Sequence, residues 1–486
     1  MPERIMRRIP LLLILTGIAS LYGQQNHTLY FLHFVPQANI LNPAVQAECR
    51  LFIGLPVISS IHANVANSGF TMNHLLDSNA PGEYSFDAAT IYNKLGKRNY
   101  LSSELYVDLL NIGVKIKTRY YLTFAIRERN DLNLFYTKSL FSLAYKGNTQ
   151  YEGEWVGLKG NGLQFNHFRE YSIGVSKVID EYSTYGIRAK LLFGKLNLKT
   201  TRENVSLFTE ETTFNLLFQS DFRLDASLPV SFDSTDGHLR ADYDYYTTDP
   251  VELIFNRQNT GFAVDAGFIY RYDEKTTFHG SLLDLGLIPY RSNLTNYSVE
   301  GEYAYTGPLG DTNITEDYLQ EIFDRINDSM DVSVARESYI YVLSPRLYLG
   351  VSYQLNKNIT ANALLVAKIF KQKIQSGLTV SGNWRPNHWL AATASWSYLH
   401  RSINNIGAGI VLGRNPVQFY LVSDNILGFI WPQSTKNLNL RFGFNMIFGC
   451  YEKRSTDGFG CYWLREAEKR NERKKRIGLQ NFHKDH

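Results

Sequence analysis

Residues 437–449 alternate without a break: Leu438, Leu440, Phe442, Phe444, Met446 and Phe448 share one parity, and Asn437, Asn439, Arg441, Gly443, Asn445 and Ile447 share the other. A strand turns successive side chains to opposite faces, so this stretch has one greasy face and one mostly wet face, which suits a wall between lipid and a polar lumen. On that reading Phe444 rejects a charge while Asn445 tolerates one. The pattern returns at 346–355, where Leu347, Leu349, Val351, Tyr353 and Leu355 oppose Arg346, Tyr348, Gly350, Ser352 and Gln354. Other stretches that read as strands are 51–56, 61–67, 110–117, 120–127, 140–146, 171–178, 185–194, 213–224, 261–271, 276–286, 294–305, 359–369, 374–384, 389–400, 405–413 and 416–423.

So many half-greasy strands in series predict an all-β chain, a transmembrane antiparallel β-barrel of roughly 14 strands, with an even number needed to bring both ends to one side. Aromatics at strand ends, such as Tyr120, Tyr270, Trp384 and Trp389, fall where interfacial girdles belong. A propeller would show a fixed blade period, and none is visible. Composition agrees: 14% aromatics with 35 glycines and a mean hydropathy of −0.24 suit neither a disordered chain nor a helical membrane bundle. Beyond the N-terminus no apolar run approaches the ~20 residues of a spanning helix. The net charge of +4 on 486 residues points to no global polyanion partner, and no nucleic acid is expected.

Residues 1–23 read as a signal peptide, with Arg4, Arg7 and Arg8 ahead of the apolar stretch from Ile9 to Ala19 and a cleavage point after Gly23. Residues 24–48 form an N-terminal segment, 49–450 the barrel and 451–486 a basic tail on the periplasmic side. The expected location is the cell outer membrane, among its lipids. Within the N-terminal segment, Asn42 and Pro43 fix a turn, since Pro43 locks its own φ and pushes Asn42 to extended geometry. That turn either wedges the segment in the lumen as a hatch or leads simply into the first strand.

The wet faces carry charges of both signs. Arg127, Arg188, Lys190, Asp265, Asp284, Arg346 and Arg441 are the candidate lumen-lining residues. They would form ion pairs that narrow the barrel or line a selective pore. The three cysteines, Cys49, Cys450 and Cys461, are candidates for a disulfide in an exported protein. Cys49 precedes the first strand and Cys450 follows the last, which become neighbours in a closed barrel; Cys461 competes for either.

Signals for chemistry are thin. No GxSxG, Walker or HExxH motif occurs, so no enzyme is expected, and no cofactor. Ser395, Ser397, His388 and His400 supply the residue types a barrel lipase needs, types that any long β protein also carries by chance as polar lumen or rim residues. Asp233, Asp236, Asp242, Asp244 and Asp249 form an acidic loop that matches no calcium-loop spacing, and a short helix is expected at 316–326. The tail from Arg465 to Arg476 is a solvated charged helix or a dock for an envelope partner.

The stretch from Leu32 to Phe70, with LNPAVQAECRLFIG, and the C-terminal VQFYLVSDNILG and NLNLRFGFNMIFG resemble a family of uncharacterised outer-membrane barrels from Bacteroidetes. More loosely the chain is similar to fatty-acid-transporter-type barrels and to accessory barrels of type IX secretion and gliding. The resemblance implies a location and a fold, with an N-terminal segment folded into the mouth, and no reaction; the expected role is passage of a small or apolar solute. The alternative is a non-conducting barrel that supports a secretion-system protein.

Overall fold

The computed structural model describes residues 26–450 apart from 72, 74–75, 81–82, 118, 229, 233–238, 242–256, 307–324, 326–328, 371–372 and 400–401. The signal peptide, the acidic loop aspartates, His400, Cys461, the basic tail and most of the expected helix at 316–326 lie outside the described residues.

Fourteen antiparallel strands close into a transmembrane barrel. The first is broken into Leu51–Gly54 and Ile61–Asn67, and both pieces pair with Arg98–Ile116 on one side and Asn437–Phe448 on the other, which closes the ring. From Arg98–Ile116 the wall continues through Tyr120–Thr137, Gly162–Val178 and Ser183–Thr209. The next three wall positions are broken strands: Leu216–Ser227 with Thr260–Arg271, Thr276–Tyr290 with Leu294–Tyr305, and Asp331–Ala335 with Tyr339–Val342 and Arg346–Gln354. Ile359–Phe370, Lys373–Trp384, Leu390–Leu399, Ser402–Arg414 and Val417–Ser423 complete the circuit.

Short turns close one rim, as between Ile116 and Tyr120 or Val178 and Ser183, while the longer connections leave the other rim or, between Ser227 and Thr260, the wall itself. Two strands on that side run far beyond the ~10 residues a bilayer requires, Arg98–Ile116 with 19 and Ser183–Thr209 with 27. The wall therefore stands above the membrane there.

Burial alternates as the pleat demands, most regularly along Asn437–Phe448. On the outer face Tyr120 and Tyr185 mark the short-turn rim, followed by Leu122, Phe124 and Ile126 on one strand and Ile187, Ala189 and Leu191 on another. Ile173, between them, is 66% exposed, which in water would be costly and in lipid is the favourable state. No helix among the described residues is long and apolar enough to cross a membrane.

One expected strand is a helix. Residues 140–146 belong to the α-helix Lys138–Lys146, whose first turn is capped by the Thr137 hydroxyl accepting the Leu140 N–H at 3.2 Å. Gly147 ends it at φ 75°, and both Lys138 and Lys146 sit over the Tyr92 ring, at 4.2 and 3.9 Å. The cap and the terminal glycine decided the conformation over an ambiguous short apolar pattern.

Candidate functional site: the filled lumen

Residues 26–48 lie inside the barrel. The segment makes a short helix, His27–Tyr30, and a 3₁₀ turn, Pro36–Ile40, begun by a proline whose missing N–H costs nothing at a first position. Its apolar side chains, Leu29, Tyr30, Phe31, Leu32, Val35, Ile40 and Leu41, pack on an apolar patch of the inner wall made by Leu283, Tyr348, Leu364, Val366, Ala391, Val411, Tyr420 and Val422. Tyr30 stacks on Tyr348 with ring centroids 5.3 Å apart. Each such side chain taken fully from water contributes about 1.5–3 kcal/mol. This is a core built in the lumen.

Polar contacts fix its register. The Asp424 carboxylate accepts the main-chain N–H of Asn26 at 2.5 Å and of Thr28 at 2.7 Å, and Arg441 donates to the Asn26 side chain at 3.0 Å. Thr28 Oγ1 lies 2.8 Å from Ser395 Oγ, and His27 Nδ1 2.6 Å from Thr379 Oγ1. Midway, Gln37 exchanges hydrogen bonds with Asn445 at 2.6 and 2.9 Å. Arg188 donates to the carbonyls of Asn39 at 2.6 Å and Ile40 at 3.2 Å, and Ser281 to that of Leu41 at 2.6 Å. Half of these bonds go to the plug's backbone, whose polar groups along an irregular segment must be satisfied once buried.

Asn42 is wholly buried and sits at the wall. Its side-chain oxygen Oδ1 accepts the Ala44 N–H at 3.0 Å, while its Nδ2 donates to the Phe268 carbonyl at 3.2 Å. Pro43 lies against Gly186 and Gly267, two inward positions where a Cβ would strike the turn. The structure thus places Asn42 and Pro43 inside the lumen, seated on two glycines.

Above the turn the charges gather. Asp284 receives Lys190 at 2.6 Å, Arg129 at 3.0 Å and Arg346. Lys190 also meets Asp265 at 2.8 Å, and Asp265 meets Arg188 at 3.2 Å. Glu170 completes the network through Arg129 at 3.5 Å. Asp284 adopts φ 61° beside a bulge opposite Val264 and Ala266, which is what aims its carboxylate into the group. Arg127 pairs apart, with Asp108 at 2.5 Å. All seven candidate lumen residues are buried and face inward; five of them, Arg188, Lys190, Asp265, Asp284 and Arg346, join one network. Sequence reading missed Arg129, Glu170 and Asp108. The signal for Arg129 was present, because the alternation that selects Arg127 selects the residue two further on.

Of the residues that suggested a lipase, one contacts the plug directly. Ser395 holds Thr28, Ser397 lies 2.7 Å from Thr379, and His388 is exposed in a turn at the short rim. Cys49 and Cys450 are joined by a disulfide, with Cα atoms 4.0 Å apart. A cavity lined by Arg129, Asn166, Arg346 and Lys368 offers about 20 Å³ of water-sized room, and one beside Pro36 and Arg188 about 10 Å³.

Residues 43–424 match the model of a family of unknown function, DUF5723. The chain belongs to that family. No functionally curated protein matches it by sequence. Among solved structures, the DUF5723 barrel is similar to the P. putida toluene transporter TodX, with a TM-score of 0.36 and 10% identity over 90% of this chain and 97% of the other. A Pseudomonas aeruginosa FadL homologue gives 0.39 and 10% over 89% and 100%. A third, the monoaromatic hydrocarbon channel CymD, gives 0.33 and 8% over 85% and 92%. These superpositions are loose, and the DUF5723 barrel stands on its own strand pairing.

Proposed function

We propose that this protein is an outer-membrane barrel that admits a small or apolar solute when its N-terminal plug gives way, and that is closed to ions while the plug is seated. The observation that carries the reading is the apolar patch on the inner wall, from Leu283 through Tyr348, Leu364 and Val366 to Tyr420 and Val422, which the plug covers. A water-filled channel has a polar interior. Here a displaced plug would bare an apolar surface within the lumen, and an apolar molecule is what such a surface would hold.

The wall is also irregular beside the plug. Between Gly54 and Ile61 the first strand departs from the ladder, with Val57 and Ile58 turned outward and the Ser59 carbonyl turned in to accept Gln37 at 3.1 Å. Plug and wall therefore share a contact at a weak point in the sheet. The test is a lock: in a Thr28→Cys, Ser395→Cys variant, whose hydroxyls stand 2.8 Å apart, oxidation should pin the plug. Proteoliposomes should take up a labelled medium-chain fatty acid with the reduced variant and fail to do so with the oxidised one, with no steady ionic current in either.

A second reading, a non-conducting barrel that supports an export system, is favoured by the Asp284 network, which ties six strands together in the interior. Uptake that is absent from the unlocked protein, alongside lost surface export in a deletion strain, would select it.

A further inference from the structure

The plug presents two neighbouring aromatic rings to the wall, and the wall has a seat for each. Strands Thr276–Tyr290 and Arg346–Gln354 run side by side, with Ser281 opposite Tyr348 and His279 opposite Gly350, all four at lumen-facing positions. Tyr30 lies flat on Tyr348, the rings 10° from parallel with centroids 5.3 Å apart. Its hydroxyl accepts a hydrogen bond from Asn42 at 3.3 Å and lies within reach of the Ser281 hydroxyl. Phe31 stands across Tyr30 at 83° and 5.1 Å, over Gly350, where a Cβ would come within 2.7 Å of its ring. His279 meets both rings edge-on, at 6.5 and 5.4 Å. Stacked and edge-to-face contacts of this kind are made by flat rings and not by an aliphatic chain.

These two strands also hold more hydrogen-bonding capacity than the plug uses. Tyr348 is fully buried and His279 is 2% exposed, yet the Tyr348 hydroxyl and both His279 ring nitrogens have no hydrogen-bond partner among the described residues. Buried polar groups are ordinarily paired, and one left unpaired costs its desolvation. Phenylalanine at 348 and an apolar side chain at 279 would pack the plug without that cost. The polar edges therefore answer to something other than Tyr30 and Phe31.

We propose that these seats, bared when the plug gives way, bind a small phenol-type solute, an aromatic ring that carries a hydroxyl, and that Tyr30 is its built-in stand-in. The proposal rests on the reading of the barrel as a plugged channel and adds the chemical class of the solute. Tyr30 is itself a phenol, flat on Tyr348 with its hydroxyl toward Ser281 and the Asn42 amide. A free phenol in that place keeps the same stacking and, without a backbone to hold it, is able to turn its hydroxyl to the Tyr348 oxygen or a His279 nitrogen. Flat apolar walls with a few convergent polar groups are what a site selective for such a ring requires.

Protease cleavage of residues 26–48 in the full-length barrel in lipid vesicles reads the competition. The probe is p-cresol, with toluene as the ring without a hydroxyl and 4-methylcyclohexanol as the hydroxyl without a flat ring. In the wild type p-cresol displaces Tyr30 and should accelerate cleavage at about one-tenth of the concentration either analogue needs, a factor of the size that one hydrogen bond or one ring stack supplies. In Tyr30→Ala the sign reverses: p-cresol fills the place of the missing ring under a seated plug, and cleavage slows. Tyr348→Leu should abolish the advantage over 4-methylcyclohexanol; if gel mobility shows that it does not fold, the wild type and Tyr30→Ala decide. Equal potency of the three solutes, or p-cresol that speeds cleavage of Tyr30→Ala as it does the wild type, would overturn the phenol seat. Equal potency with fatty-acid uptake intact removes the phenol class and leaves the channel, whereas selectivity for p-cresol without uptake upholds the seat and removes the channel.

Discussion

Gly186 meets the main chain of Pro43 so closely that a Cβ added there would run into the proline carbonyl and the Ala44 nitrogen. The wall is therefore shaped to the turn, and a large side chain at this point should unseat the plug without disturbing strand pairing. Gly186→Leu is expected to fold as a barrel, shown by heat-modifiable mobility, while residues 26–48 become open to protease and the lumen begins to pass ions. A protected plug in this variant would mean that the glycine seat is incidental.

The last strand separates its two faces by energy as well as by polarity. Phe444 faces outward and packs on Phe419 at 4.8 Å, so Phe444→Arg should cost about 2–4 kcal/mol at mid-bilayer depth. Asn445, expected from the alternation to accept a charge, does not face open water: it is fully buried and bonded to Gln37 and to Gln418. Asn445→Arg should thus also fail, but differently, with the barrel assembled and the plug displaced. Gel mobility and plug proteolysis distinguish the two.

Asp284 answers Lys190, Arg129 and Arg346 together. Its replacement by Asn leaves buried cations short of a partner, for which a cost of about 3–5 kcal/mol is usual. By contrast Asp221, whose pair with Arg202 is more than a third exposed on both sides, should cost less than about 1 kcal/mol on the same change. Urea unfolding in lipid vesicles reads both.

His33, packed between Phe31 and His279 with Glu48 nearby, is lowered by burial to about 4 from an ordinary 6.5. The folded plug holds the neutral ring, whereas the released segment takes up a proton. Plug stability is therefore complete above about pH 6.5 and falls as the pH drops toward 4, with a limiting slope of about 1.4 kcal/mol per pH unit. Proteolysis of residues 26–48 should accelerate across that window in the wild type and change less in His33→Gln.

The Cys49–Cys450 bond closes a separation of 401 residues across the seam of first and last strands. Cys450→Ser should lower stability by about 2–4 kcal/mol, as bridges commonly do. Peptide mapping under non-reducing conditions should recover Cys49 joined to Cys450; Cys49 recovered as a free thiol would refute the staple.

Period-two alternation made the strands legible, and with them the inward facing of Arg127, Arg188, Lys190 and Asp284. What alternation hides is anything that breaks it. The bulge at Lys195, the interruption between Gly54 and Ile61 and the helix that begins after Thr137 each depend on a cap, a glycine or a neighbour's side chain that is distant in sequence. Pairing was equally hidden: Arg129 and Asp284 stand 155 residues apart, and only ring closure brings them within 3.0 Å. The plug could be read as an apolar segment with a proline turn, but its place in the lumen rests on wall positions such as Asp424 and Gly186, whose role no local pattern announces.

At its C-terminal end the plug runs straight into the first strand and is bonded through Cys49 to Cys450, just past the last strand. The 23 residues 26–48 make a leash that spans at most roughly 80 Å when fully drawn out. A plug pulled from its seat would remain tethered at an effective concentration on the order of millimolar. Reclosure is then a first-order event within one molecule, independent of how many copies the membrane holds, so the barrel would reset itself after each opening without a separate partner to shut it.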